Sequence, residues 1–182
     1  IIFAKYYKLA DSIWIYIFGY SIAVTPVVGY HYGAQNHAEL KSLLRKSLII
    51  TVLVSLVMTG ASVTLAGPIA DLFVGYDAAL HDMTVNALRI YSVSFLVFGF
   101  NIFGSAFFTA LNNGLVSALI SFLRTLVFQT ASVLTLPLIF DVDGIWYAIT
   151  VAEVFATLIS VIFLFAKRKK YHYMECSPHG KK

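Results

Sequence analysis

The chain has 182 residues, 59% of them hydrophobic and 12% charged, with a formal net charge of +4 and a mean hydropathy of +0.82. Soluble domains carry about 25% charged residues, so this balance excludes an ordinary water-soluble globule and points to a membrane protein. One cysteine, Cys176, excludes a disulfide framework within the chain.

The first residue is Ile1, and no charged leader with a cleavage site precedes the first apolar run. The expectation is a chain that begins inside a larger protein. A bilayer-crossing helix needs about 20 mainly apolar residues. Five stretches qualify, at about 12–32, 47–67, 86–110, 116–140 and 144–166. Their apolar residues run continuously rather than alternating, and an open sheet in lipid leaves its backbone unsatisfied. The expected fold class is therefore all-α, a polytopic membrane helix bundle.

The first span ends in "TPVVGYHYGAQNHAEL", residues 25–40. Pro26 removes a backbone donor and disturbs the turn before it. Gly29 and Gly33 allow close approach of another helix, and Tyr30 and Tyr32 sit at the depth of an aromatic belt. Asn36 is placed to cap the next helix, with Glu39 three residues on. Two readings stand: a close-packed helix end, or a flexible cytoplasmic gate built from Pro26, Gly29, Tyr30, Tyr32 and Gly33.

Gly67-Pro68 closes the second span, and residues 68–85 read as an interfacial loop with a short amphipathic helix, kept wet by Asp71, Asp77 and Asp82. Arg89 and Tyr91 stand at the outer mouth of the third span, and Asn101 lies deep within it. Asn112-Asn113-Gly114 makes a tight turn into the fourth span. There Arg124 reads first as a side chain that snorkels to the interface, and otherwise as one that lines a cavity or pairs with a carboxylate. Asn101 and Gln129 are uncharged polar groups at buried depth, either interhelix hydrogen bonders or ligand contacts.

Asp141-Val142-Asp143-Gly144 separates the fourth span from the fifth. Glu153 lies nine residues after Gly144, about 13 Å along a helix at 1.5 Å per residue. It is the only carboxylate inside a predicted span. A charge there costs at least about 2.5 kcal/mol by insertion scales. Glu153 is thus a candidate proton- or sodium-responsive cavity residue, or else a structural glutamate hydrogen-bonded between helices. Residues 167–182 are expected to be a cytoplasmic tail. Of the aromatic residues, Tyr20, Phe95, Phe98 and Phe103 are candidates to line a cavity for a flat organic cation.

Lys and Arg are distributed unevenly. Ten (Lys41, Arg45, Lys46, Arg124, Lys167, Arg168, Lys169, Lys170, Lys181, Lys182) fall on one side and three (Lys5, Lys8, Arg89) on the other, beside six aspartates. The positive-inside rule makes the first side cytoplasmic. It predicts a multi-pass plasma-membrane protein with its C-terminus inside. No His-Glu-x-x-His, phosphate loop or carboxylate pair is present, so no enzyme is expected. His31, His37 and His81 are scattered at membrane edges, so no metal or cofactor is expected. The basic residues report topology rather than nucleic acid.

Residues 19–48 resemble the eighth helix and following loop of the multidrug and toxic compound extrusion (MATE) transporters. The matching residues are Pro26, Gly29, Tyr30, Tyr32, Gly33, Ala34 and Asn36. Gly144-Ile145-Trp146 is similar to the entry of that family's twelfth helix. "PIADLF" and Leu123-Arg124 ahead of Pro137 also fit. The resemblance implies helices eight to twelve of a two-lobed, twelve-helix transporter, with the first lobe and the seventh helix missing. It implies a secondary antiporter that exports drugs or organic cations in exchange for protons or sodium. The family's coupling cation binds in part through acidic residues of its seventh and tenth helices, and residues 86–110 hold no Asp or Glu. The alternatives are a lipid-linked precursor flippase of the same superfamily and a non-transporting membrane bundle that packs on a partner.

Overall fold

The computed structural model describes residues 19–173. Helix α1 covers 19–33 of the described chain, and the start of the first predicted span lies outside it. Gln35 turns the chain in the left-handed region (φ 55°). Asn36 then accepts from the Glu39 backbone N–H at 3.2 Å and caps α2, His37–Thr64. The helix that carries the second span therefore starts ten residues before the predicted 47 and runs unbroken from the basic segment onward.

Gly67-Pro68 does not end a helix. It lies in the first turn of α3, Ala66–Val74, where proline's missing N–H has no intrahelical bond to lose. The predicted loop is largely helical: α4 begins at Ala78, with Asp77 accepting from the Ala79 and Leu80 N–H groups. The third span is two helices, α4 (Ala78–Ser92) and α5 (Phe95–Ala110), bent by 44°. The bend has a chemical cause. Ser92 Oγ donates to the Leu88 carbonyl at 2.6 Å and Ser94 Oγ to the Tyr91 carbonyl at 2.7 Å. Hydroxyls that engage helical carbonyls in this way bend the ladder.

Asn112 (φ 56°) and Asn113, which caps the Val116 N–H, make the turn into α6, Gly114–Phe122. A π-helical segment, Leu123–Gln129, joins α6 to α7, Thr130–Thr135. Helix α8, Pro137–Tyr171, is broken at Asp141 (φ 51°, ψ −134°). The helix of the fifth span thus runs five residues beyond the predicted 166. Arg168, Lys169 and Lys170 form its last turn rather than a free tail, where cations complement the helix dipole.

Among the described residues, three helices are long and apolar enough to cross a membrane (α2, α6 through α7, and α8), and the bent α4–α5 pair makes a fourth. Large apolar side chains face outward along them, Leu53, Val57, Leu126 and Ile162 for example. That is the surface a lipid solvent requires.

The main core sits at one end of the bundle, around Val28, Leu40, Phe107, Phe108 and Leu111. The end of α8 turns back into it. His172 takes a left-handed conformation (φ 54°), and Tyr173 is fully buried against Phe107, ring centroids 5.4 Å apart. The Tyr173 hydroxyl donates to the Leu164 carbonyl at 2.6 Å. Burial first, and then the neighbouring Tyr171, pushes the Tyr173 phenol well above its ordinary value of 10.0. A phenol raised in the folded state stabilises it fully below the unfolded value and loses that contribution as pH rises. Stability should therefore fall above about pH 10, by up to about 1.4 kcal/mol per pH unit. Tyr173→Phe should flatten that slope and cost about 1 kcal/mol at neutral pH. Thermal melts in detergent from pH 8 to 12 check both; parallel slopes for the two proteins would remove Tyr173 as the cause.

Candidate functional site

Three helices bring the predicted polar residues together. Glu153, on α8, is 4% exposed. Its Oε1 accepts from Arg124 Nε at 2.8 Å, and its Oε2 accepts from Asn101 Nδ2 at 2.7 Å. Asn101, on α5, also donates to the Glu153 carbonyl at 3.1 Å, and its Oδ1 accepts from Ser160 Oγ at 3.1 Å. Arg124 stacks its guanidinium over the Phe98 ring, 4.4 Å from the centroid.

The sequence explains the convergence. Glu153, Ala156 and Ser160 are buried on one face of α8, and Asn101, Phe98 and Gly104 on the facing stripe of α5. Gly104 faces Ser160 across this contact, where an added Cβ would lie at an ordinary packing distance of 3.7 Å from Ser160 Cβ. Arg124 enters from the π-helical segment, whose wider turns alter where a side chain points and which recur at functional sites. Arg124 therefore does not snorkel. It is an interior half of an ion pair, because the buried carboxylate lies within reach and the alternative is an unpaired charge in an apolar medium.

Beside this pair is a cleft of about 560 Å³ between α1, α5, α6 and the π segment. Its wall carries Ser21, Thr25, Ser105, Thr109, Ser121 and Arg124. The hydroxyls form a chain: Ser105 Oγ lies 2.9 Å from Ser117 Oγ and 3.0 Å from Ser121 Oγ, and Thr109 Oγ1 lies 2.7 Å from Ser117 Oγ. Sequence reading missed this wall. Its signal was present as hydroxyls four apart on two adjoining helices, 105 and 109 against 117 and 121.

The other candidates separate. Gln129 is half-buried at the far end of the π segment, outside the network. Tyr91 is buried edge-on to Phe95, ring centroids 5.5 Å apart. Phe95, Phe98 and Phe103 are all buried in packing, and Tyr20 donates to Ser47 Oγ at 3.0 Å; these four do not line the cleft. Pro26 does line it. Gly29 faces the Ala110 carbonyl oxygen, 3.4 Å from an added Cβ, whereas among the described residues nothing lies within 4 Å of a Cβ added at Gly33. Tyr30 is exposed, and Tyr32 packs edge-on to Tyr171 at 5.6 Å. Among the described residues, no cluster of three or more His, Cys, Asp or Glu side chains is placed to hold a metal.

A bundle of spanning helices with a bent span and a buried ion pair beside a cleft is a polytopic membrane bundle whose interior charges mark a candidate functional site. The chain belongs to the MATE family: the MatE family profile matches residues 6–133. Its fold is that of solved transporters. An inward-facing multidrug resistance MATE transporter of the MOP superfamily is 20% identical, with a TM-score of 0.85 over 96% of this chain and 41% of its own. The MATE multidrug transporter DinF-BH, solved as a ligand complex, is 21% identical (TM-score 0.84; 96% of this chain, 40% of that one). A MOP superfamily transporter from Pyrococcus furiosus, described as having a binding pocket of reverse polarity, is also 21% identical (TM-score 0.85; 94% and 39%). The chain thus spans about two fifths of the length of these transporters. No curated protein matches it.

Proposed function

We propose that the chain forms most of the second lobe of a secondary active antiporter that exports drug-like organic molecules in exchange for protons or sodium. One observation carries this reading: Arg124 is at once the partner of Glu153 and a wall of the cleft. A proton or sodium ion arriving at the Glu153 carboxylate competes with the guanidinium for Oε1. Arg124 then shifts, and the cleft it lines changes shape and charge. Ion and substrate are coupled because they share one side chain, which is the physical content of a coupling free energy. The basic end of the bundle, with residues 33–46 and the end of α8, is cytoplasmic, and 68–84 is external in the plasma membrane.

Dye efflux tests the coupling in cells expressing the two-lobed protein that carries this lobe. Under an inward proton gradient and, separately, an inward sodium gradient, Glu153→Gln should slow efflux about tenfold, the equivalent of one charge-assisted hydrogen bond, at undiminished expression. Efflux equal to wild type under both gradients would make Glu153 structural. Orientation has its own measurement. In a Cys176→Ser background, a membrane-impermeant maleimide added to intact cells should label a cysteine placed at Asp77 and not one at Lys41; the opposite pattern reverses the topology.

A further inference from the structure

The most strongly charged surface of the lobe takes no part in the cleft. Arg45 and Lys46 stand near the start of α2, and Lys167, Arg168, Lys169 and Lys170 close α8. The two helix ends meet: the His37 and His172 rings lie edge to face with centroids 5.4 Å apart, and Leu40, Leu44, Leu164, Tyr171 and Tyr173 share one core cluster. Lys167 is half-buried and the other five cations are exposed. Among the described residues none of them is in an ion pair. Within residues 37–46 and 167–173 the only carboxylate is Glu39. Arg168 lies over the Phe165 ring at 6.0 Å and Lys170 over the Tyr171 ring at 5.4 Å. Side chains already resting on a ring lose less freedom when a partner binds.

Inward of this rim the surface turns apolar within about one helical turn. Ile49, Ile50 and Leu53 on α2 and Ile162 and Phe165 on α8 are exposed. We propose that the rim binds anionic phospholipid headgroups of the leaflet it meets, with phosphate among the cations of both helix ends and acyl chains along Ile49, Leu53 and Ile162. Cation above and apolar surface below is the layering of such a lipid, and clusters of about 4–8 Lys and Arg beside a spanning helix attract anionic headgroups. A soluble polyanion answers the charge and leaves the apolar band unused. Topology needs basic residues on one side of the membrane; it does not need them gathered from two helices where those helices touch. Tyr171 and Tyr173 follow the basic run directly, so a bound lipid also holds the end of α8 in its packed position. The inference depends on the spanning helices and not on antiport or its coupling ion.

Phosphatidylglycerol, an anion, and phosphatidylcholine, a zwitterion, are the probes. Each competes with fluorescently labelled phosphatidylglycerol for the purified protein in a non-ionic detergent, read by polarisation. Phosphatidylglycerol should bind at least about tenfold more tightly than phosphatidylcholine. Arg45→Gln with Lys46→Gln, and separately Arg168→Gln with Lys169→Gln, should each weaken it about tenfold or more, at roughly fivefold per cation. Arg89→Gln, on α4, should leave it unchanged. Raising salt from about 50 to about 500 mM should weaken wild-type binding at least about tenfold, a readout that needs no variant. Phosphatidylglycerol should raise the melting temperature, and its water-soluble headgroup, glycerophosphoglycerol, should not. Equal competition by the two lipids overturns the proposal, as does binding insensitive to salt. A loss confined to one helix pair removes the shared rim, and an equal loss in Arg89→Gln reduces the effect to overall charge. Competition by the soluble headgroup as strong as by the lipid makes the ligand a phosphate rather than a membrane surface. None of these outcomes bears on the efflux response of Glu153→Gln, which judges the antiport reading separately.

Discussion

Replacing Arg124 with methionine is expected to destabilise the bundle by about 3–5 kcal/mol, and replacing both Arg124 and Glu153 with methionine to restore most of that loss. The single variant removes the Nε–H that meets Glu153 Oε1 at 2.8 Å and strands a carboxylate that is 4% exposed. Asn101 alone then serves it, through the 2.7 Å bond to Oε2. The double variant has no charge left to strand. Asn101 Nδ2 still finds the residue-153 backbone carbonyl, now 3.1 Å away, and keeps Ser160 on its other side. The methionine chains refill the space over Phe98. A double-mutant cycle on denaturant unfolding in detergent measures this. A double variant as unstable as the sum of the singles, which is a coupling energy near zero, would mean that Arg124 and Glu153 do not act as a pair.

Gly144→Val is expected to cost about 3 kcal/mol or more, a large share of the roughly 5–15 kcal/mol that holds a typical domain. Asp141 reverses the chain with a positive φ, and Gly144 comes to rest on the preceding helix end. An added Cβ there would overlap the Leu136 carbonyl oxygen and lie 2.6 Å from its carbon and 2.7 Å from Pro137 N. Those atoms are backbone, so relief requires the turn at Asp141 to open. Opening it displaces the helix that carries Glu153 relative to Arg124. Gly60→Ala is the matched control. Gly60 lies in the interior of α2 with nothing among the described residues within 4 Å of an added Cβ, so alanine there should stabilise by up to about 1 kcal/mol through helix propensity. Melting temperatures of the two variants should therefore move in opposite directions. A tolerated valine at 144 would show that the turn is looser than its contacts indicate.

Much of the architecture follows from the sequence alone. Continuous apolar runs about 20 residues long leave helices as the only local solution in lipid. Turn chemistry is equally local: Asn36, Asp77 and Asn113 cap the helices they precede because a short side chain can accept from the N–H groups two or three residues on. The rarity of a charge in a span marked Glu153 and Arg124 as residues that must be answered by something. What local chemistry does not specify is the answer. Arg124 and Glu153 are 29 residues apart, and their pairing is decided by the register of α6 and the π segment against α8, which the turn at Asp141 and the close approach at Gly144 constrain. The same holds for the 44° bend at Ser92 and Ser94 and for the return of Tyr173 into the core. It holds too for the hydroxyl wall, whose members come from three helices. Helix formation and capping are satisfied within a few residues of chain. An ion pair in lipid, a buried phenol and a cleft exist only where separate helices meet, so tertiary packing alone determined them.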